Sequence, residues 1–147
     1  MPTDLTATER RFAEQLLAGH STHAIATHHG LSPRTVENYL RLLRHRTDAP
    51  RGCAQPVLIH ALITSGLLQP PTPRRPVPAL APHQEQLLLA LATHSGARDI
   101  AHAVGIEPAR LTIEVAALLT ETGTASTTQL IGFAHSWALL DAGDENR

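Results

Sequence analysis

Five prolines fall within nine residues at Pro70-Pro71-Thr72-Pro73-Arg74-Arg75-Pro76-Val77-Pro78, and no other feature constrains the fold as strongly. Each proline fixes φ and removes a backbone donor, so neither a helix nor a central strand runs through this segment. At this density it is expected to form an extended polyproline II spacer. Both flanks carry apolar residues three and four apart, with no convincing two-residue alternation, which predicts an all-α chain. A chain of 147 residues then holds two very small units. These are residues 1–69 and 79–147, joined by the Pro/Arg linker at 70–78, each expected to be a minimal four-helix unit.

The two flanks resemble each other. At an offset of 75 residues, Leu5 falls on Leu80, Leu16 on Leu91 and Ile25-Ala26 on Ile100-Ala101. Gly30 falls on Gly105, Leu31 on Ile106, Pro33 on Pro108 and Val36 on Leu111. Towards the end of each unit the matching offset shortens to 73, pairing Val57-Leu58 with Leu130-Ile131 and Ala61 with Ala134. A shared glycine followed three residues later by proline favours an internal duplication over coincidence in a Leu/Ala-rich chain. The charges, however, differ. The net charge of −1 conceals seven Arg against five acids over 1–69 and three Arg against eight acids over 76–147, with Arg74 and Arg75 between. A basic front and an acidic back predict different partners.

The first unit has the punctuation of a helix-turn-helix. Thr6 and Glu9 have capping-box spacing ahead of a helix that buries Phe12, Ala13, Leu16 and Leu17 and ends near Gly19. Ser21 is expected to cap a short second helix bearing Ile25 and Ala26, closed by Gly30. Ser32 caps a third helix with Pro33 at its first position, and a fourth is expected over 55–65. On the third helix, at about 100° per residue, Leu40 and Leu43 lie within about 40° of Val36. The opposite face carries Arg34, Glu37, Asn38, Arg41 and His45, with Arg44 at its flank. These residue types contact guanine, adenine and phosphate when a recognition helix enters the major groove.

The run Leu5-Thr6…Glu9-Arg10, then Ile25-Ala26…Gly30-Leu31-Ser32-Pro33-Arg34-Thr35-Val36-Glu37-Asn38-Tyr39-Leu40, resembles the DNA-binding domain of LuxR-type (GerE-like) transcriptional regulators. The likeness extends through Gly66-Leu67-Leu68 and fits that family better than sigma-factor region 4. It implies a four-helix domain whose third helix reads the major groove and whose fourth commonly contributes to dimerisation. It further implies that Glu37, Asn38 and Arg41 face bases, while Ser32, Thr35 and Arg44 lie near phosphates. Tyr39 stands where the family usually has histidine, and this face lacks the family's lysines. Glu37 is able to accept from cytosine but repels phosphate.

In the second unit Leu111, Val115 and Leu118 keep the inward stripe. The outward positions become Ala109, Thr112, Ile113 and Ala116, followed by Leu119 and Thr120 in place of Arg44 and His45. An uncharged, partly apolar face on an acidic unit disfavours phosphate and predicts a protein contact. The competing expectation is that Ile113 and Leu119 pack within the unit on Trp137 or the last helix. Likeness to the LuxR type is weaker here, resting on Asp99-Ile100-Ala101…Val104-Gly105-Ile106 and Leu139-Leu140. In the linker, Arg74 and Arg75 are either solvated or a basic arm on phosphates or a minor groove.

Little else in the sequence carries chemistry. His20, His23, His28 and His29 cluster, but helical geometry separates His23 from His28 and no cysteine or carboxylate pair joins them, so no metal is expected. Cys53 lies without an activating partner and reads as a buried or idle thiol. No phosphate-binding loop, dinucleotide fingerprint or nucleophile elbow occurs, so neither an enzyme nor a cofactor is expected. The lone cysteine suits a reducing cytoplasm. There is no membrane-spanning apolar run and no apolar signal core at the N-terminus. The sequence thus predicts a DNA-binding transcriptional regulator whose partners are double-stranded DNA and a homodimer mate or another regulatory protein. Two-fold pairing would imply pseudo-palindromic sites. The alternatives are a protein-binding adaptor or anti-activator with little DNA binding, and an architectural, plasmid- or phage-maintenance DNA-binding protein.

Overall fold

The computed structural model describes residues 5–47, 49–50, 52–73 and 75–140. Arg74 lies outside the described residues. Among them, eight helices and no strand follow in the order α1 (Ala7–Leu17), α2 (Thr22–His29), α3 (Pro33–His45), α4 (Gln55–Thr64), α5 (Pro82–Thr93), α6 (Ala97–Val104), α7 (Pro108–Thr122) and α8 (Thr127–Ser136).

Helices α1, α2, α3 and α8 start where short polar side chains satisfy their first N–H groups. Glu9 N donates to Thr6 Oγ1 at 3.1 Å while Thr6 N donates to Glu9 Oε1 at 3.0 Å, forming the capping box. Ser21 Oγ accepts from Ala24 N at 3.0 Å, and Ser32 Oγ accepts from Thr35 N at 3.1 Å. Ser126 does the same for α8 by accepting from Gln129 N at 3.1 Å. Ala81 has no capping side chain, and its N–H donates instead to Gln84 Oε1 at 2.9 Å. The short helices α2 and α6 both close on left-handed glycines, Gly30 at φ 67° and Gly105 at φ 82°.

The last helix on each side ends in the same turn. After α4, Leu67 N and Leu68 N both donate to Leu62 O, at 3.0 and 3.2 Å, around Gly66 at φ 82°. After α8, Leu139 N and Leu140 N both donate to Ala134 O, at 2.8 and 3.3 Å, around Ala138 at φ 62°. Matching atoms in the two turns stand 72 residues apart, one fewer than the 73 read from apolar pairs. The reason is that residue types in a Leu/Ile/Ala-rich helix slide by one position at little apparent cost, whereas a left-handed turn fixes register. At 72, Leu58 with Leu130, Ile59 with Ile131 and Leu62 with Ala134 are all fully buried.

The linker does not hold the two sides apart. α4 packs against both α5 and α8, and α1 also reaches α8, so buried side chains from both sides merge into one core. Leu16, Leu58, Ile59 and Leu62 belong to the same cluster as Leu87, Leu88, Leu130 and Ile131. Hydrogen bonds among the described residues cross between the sides, including Ala54 N to Ser95 Oγ at 3.0 Å, Gln129 Nε2 to Ala18 O at 3.2 Å, and His60 Nδ1 with His135 Nε2 at 2.9 Å. The proline segment is strapped down along α8. Trp137 Nε1 donates to Arg75 O at 3.0 Å, Ser136 Oγ donates to Pro71 O, and Pro71 lies against Gly132. The last residue of α8 and its cap thus supply a hydroxyl and an indole N–H that meet the carbonyls of Pro71 and Arg75.

Candidate nucleic-acid interface

α3 is strongly two-sided. Val36, Leu40 and Leu43 are buried, and at three- and four-residue spacing they anchor one stripe to the core. Burial of each stabilises by about 1.5–3 kcal/mol, enough to hold the helix rigidly while the other face stays in water. On that face Arg34, Glu37, Asn38, Arg41 and His45 are all exposed, as is Ser32 at the cap, while Thr35 is half-buried. Two of these side chains are already joined, since Arg41 Nη2 donates to Asn38 Oδ1. Ser32 Oγ and Thr35 Oγ1 lie 3.0 Å apart, so one hydroxyl donates to the other at the start of the helix.

Arg44 serves the local fold as well as the surface. Its Nε and Nη2 both donate to Cys53 O, at 3.1 and 2.7 Å, clamping the segment between α3 and α4 against the end of α3. Two further bonds tighten that segment: Thr47 Oγ1 to Arg44 O at 3.4 Å and Ala49 N to Thr47 Oγ1 at 3.0 Å. Beside it opens a concavity of about 500 Å³ lined by Glu37, Arg41, Arg44, His45, Thr47, Ala49 and Gly52. Three cationic or protonatable groups against one carboxylate give it the polarity that suits a backbone phosphate. Cys53 is itself buried, as an inert thiol would be.

Three contributions had no local sequence signal. Glu9 is only 5% exposed, and besides its capping role it accepts from Arg46 Nη2, with Oε1 at 3.1 Å and Oε2 at 3.2 Å. This pair ties the start of α1 to the end of α3 across 37 residues of sequence. Tyr39 is half-buried, with its ring centroid 5.6 Å from that of Phe12, so it packs α3 onto α1. Leu42, by contrast, is 49% exposed beside the polar face. An apolar group there is of the kind that meets a thymine methyl. The histidines of α2 follow helix-end geometry: His28 and His29 meet edge-on at 5.1 Å, and His29 Nε2 pairs with Gln15 Oε1 at 2.7 Å.

The corresponding face of α7 differs in chemistry. Ala109, Thr112, Ile113 and Ala116 are exposed, Ile113 by 65%, whereas Leu119 is half-buried against the core at the edge of the face. The two expectations for this helix therefore divide between residues: Leu119 packs inward and Ile113 does not. Arg110, on the flank, pairs with Glu114 at 3.3 Å.

Residues 3–49 match the family model for bacterial regulatory proteins of the luxR family, covering α1–α3 and ending before α4. No curated protein and no solved structure gives a significant match to the chain. No helix among the described residues is long and apolar enough to cross a membrane.

Proposed function

We propose that the chain is a sequence-specific, DNA-binding transcriptional regulator acting in the cytoplasm, with α3 as the helix that enters the major groove. The observation that carries this reading is the single exposed face holding Arg34, Glu37, Asn38, Arg41 and His45 opposite a fully buried stripe. Similarity of residues 3–49 to the luxR family supports it and points to a regulator rather than an enzyme. In this reading Asn38 and Arg41 contact base edges, and the Asn38–Arg41 bond sets their geometry before DNA arrives. Ser32, Thr35 and His45 meet phosphates, and Arg44 does so with the donors that Cys53 leaves over.

The remainder, 79–147, is a second, related four-helix unit that has lost the reading face. Supporting this are the repeated order of a short helix, left-handed glycine and Pro-started helix, and the paired turns at Gly66 and Ala138. Its α7 surface of Ala109, Thr112, Ile113 and Ala116, with Leu119 at the rim, is a protein contact for a second copy or another regulator. The exposed Ile113 also favours a second reading, in which the chain is chiefly an adaptor that touches DNA weakly.

Selection from a random double-stranded DNA pool at several salt concentrations tests the first reading. Specific enrichment is expected, with Arg41→Ala costing about 1–3 kcal/mol at the selected site. Enrichment of nothing at low salt, or a motif unchanged by Arg41→Ala, refutes base reading by α3.

A further inference from the structure

We infer that α5–α8 occupies, within one chain, the surface of α4 that would otherwise need a second subunit, so α4 makes no contact between chains. α4 is buried nearly all round: Val57, Leu58, Ile59, Leu62 and Ile63 span about 240° of its circumference at 100° per residue. A helix at the edge of a small unit normally hides one apolar stripe of about 100° and exposes the rest. The first unit's other helices therefore account for only part of this burial, and α8 and α5 cover the remainder. α8 is built to match, with Leu130, Ile131 and Ala134 fully buried. His60 and His135 meet across the α4–α8 seam, rings 5.0 Å apart and nitrogens 2.9 Å apart.

The seam is closed at its edges. Ser95 Oγ holds the residue before α4, Gln129 holds the end of α1, and the proline strap is fastened to Ser136 and Trp137. A second copy reaches α4 only after these bonds open and the shared core separates. Tethering also decides the competition by mass action. A short linker presents its attached partner at an effective concentration of roughly millimolar, far above that of another chain at micromolar levels.

The consequence for DNA rests on reading by α3. Each closed α4–α8 pair presents one reading helix, because the equivalent face of α7 is uncharged. Where α7 does not pair two copies, the recognised sequence is then a single unsymmetrical element rather than the pseudo-palindrome that pairing through α4 would give.

Light scattering on the full chain and on its Ile113→Glu variant, at about 100 µM and so well below the tether's effective concentration, tests the premise independently of DNA. Ile113 is 65% exposed, so the variant keeps the fold, which circular dichroism checks. Both proteins are expected at the monomer mass of 15.8 kDa. A wild-type dimer abolished by Ile113→Glu also upholds the inference, since the contact then lies on α7. A dimer that persists in the variant, including one made by exchanging α5–α8 between chains, overturns it. In DNA selection an unsymmetrical motif is expected, and a palindrome recovered equally by Ile113→Glu overturns it. Enrichment of nothing defeats base reading alone, leaving the mass to decide the inference.

Discussion

Gly132 lies in the middle of α8, where replacing glycine by alanine at an exposed site would stabilise a helix by about 1 kcal/mol. Here the opposite sign is expected. A Cβ on Gly132 would stand 2.5 Å from Leu17 Cδ2, and 3.2 and 3.4 Å from Pro71 Cδ and Cγ. Leu17 is itself buried, and Pro71 is a ring held by the Ser136 bond. Overpacking of this kind costs about 1–3 kcal/mol. Set against the propensity gain, Gly132→Ala should destabilise the full chain by about 1 kcal/mol, and Gly132→Val, which lacks that gain, by about 3. Urea unfolding followed by circular dichroism measures both, and a double-mutant cycle identifies the cause. Leu17→Ala alone should cost about 2–5 kcal/mol. Combined with Gly132→Ala it should show a favourable coupling of about 1 kcal/mol, because the new methyl fills part of the space vacated. If Gly132→Ala stabilises as it would at an exposed site, or the cycle is additive, α1, α8 and the proline strap do not meet as described.

Three further outcomes follow from single contacts. Ala138→Gly should stabilise by about 1 kcal/mol in the same unfolding assay, because alanine at φ 62° carries the left-handed penalty that Gly66 avoids in the matching turn. Glu9→Ala should destabilise by about 2 kcal/mol, since it removes a cap and leaves Arg46 without its partner. That figure is set below the cost of breaking a fully buried pair because Arg46 is 29% exposed. Arg44→Lys keeps the charge but not the two-bond fork onto Cys53 O. Backbone amides at 52–54 should therefore exchange faster and DNA affinity should fall, even though net charge is unchanged.

The helices were legible because their signals are local. The Thr6–Glu9 box, Ser21, Ser32-Pro33, Gly30 and Gly105 each act within four residues, and each stands where capping chemistry requires. The outward face of α3 was legible for the same reason, since helical periodicity alone separates Arg34, Glu37, Asn38 and Arg41 from Val36, Leu40 and Leu43. What the sequence concealed depends on residues far apart along the chain. Nothing near Glu9 announces Arg46, and nothing near Arg44 announces a bidentate contact to a carbonyl nine residues on. The proline segment misled for a physical reason. Its composition fixes the backbone as extended but says nothing about what an extended strap lies against, and α8 supplies the hydroxyl and indole that hold it.

The same distinction applies to the spacing of the last helices, which is 73 residues by apolar pairs and 72 by their closing turns. Apolar identity is degenerate along a helix buried on several sides, because neighbouring positions all demand Leu, Ile or Ala. Ala138 removes the degeneracy, since a non-glycine residue at positive φ persists only where surrounding bonds over-determine it. Those bonds run from Leu139 and Leu140 to Ala134, as Leu67 and Leu68 run to Leu62 around a glycine. The turn forms at Ala138 without a glycine, against a strain of about 1–2 kcal/mol. The turn aims Leu140 into the core that α4 shares with α8. On α7 the exposed positions Ala109, Thr112, Ile113 and Ala116 carry no charge, while Leu111 and Leu118 are buried. The packing of the second half is thus directed at the first half, with α8 and α5 laid against α4.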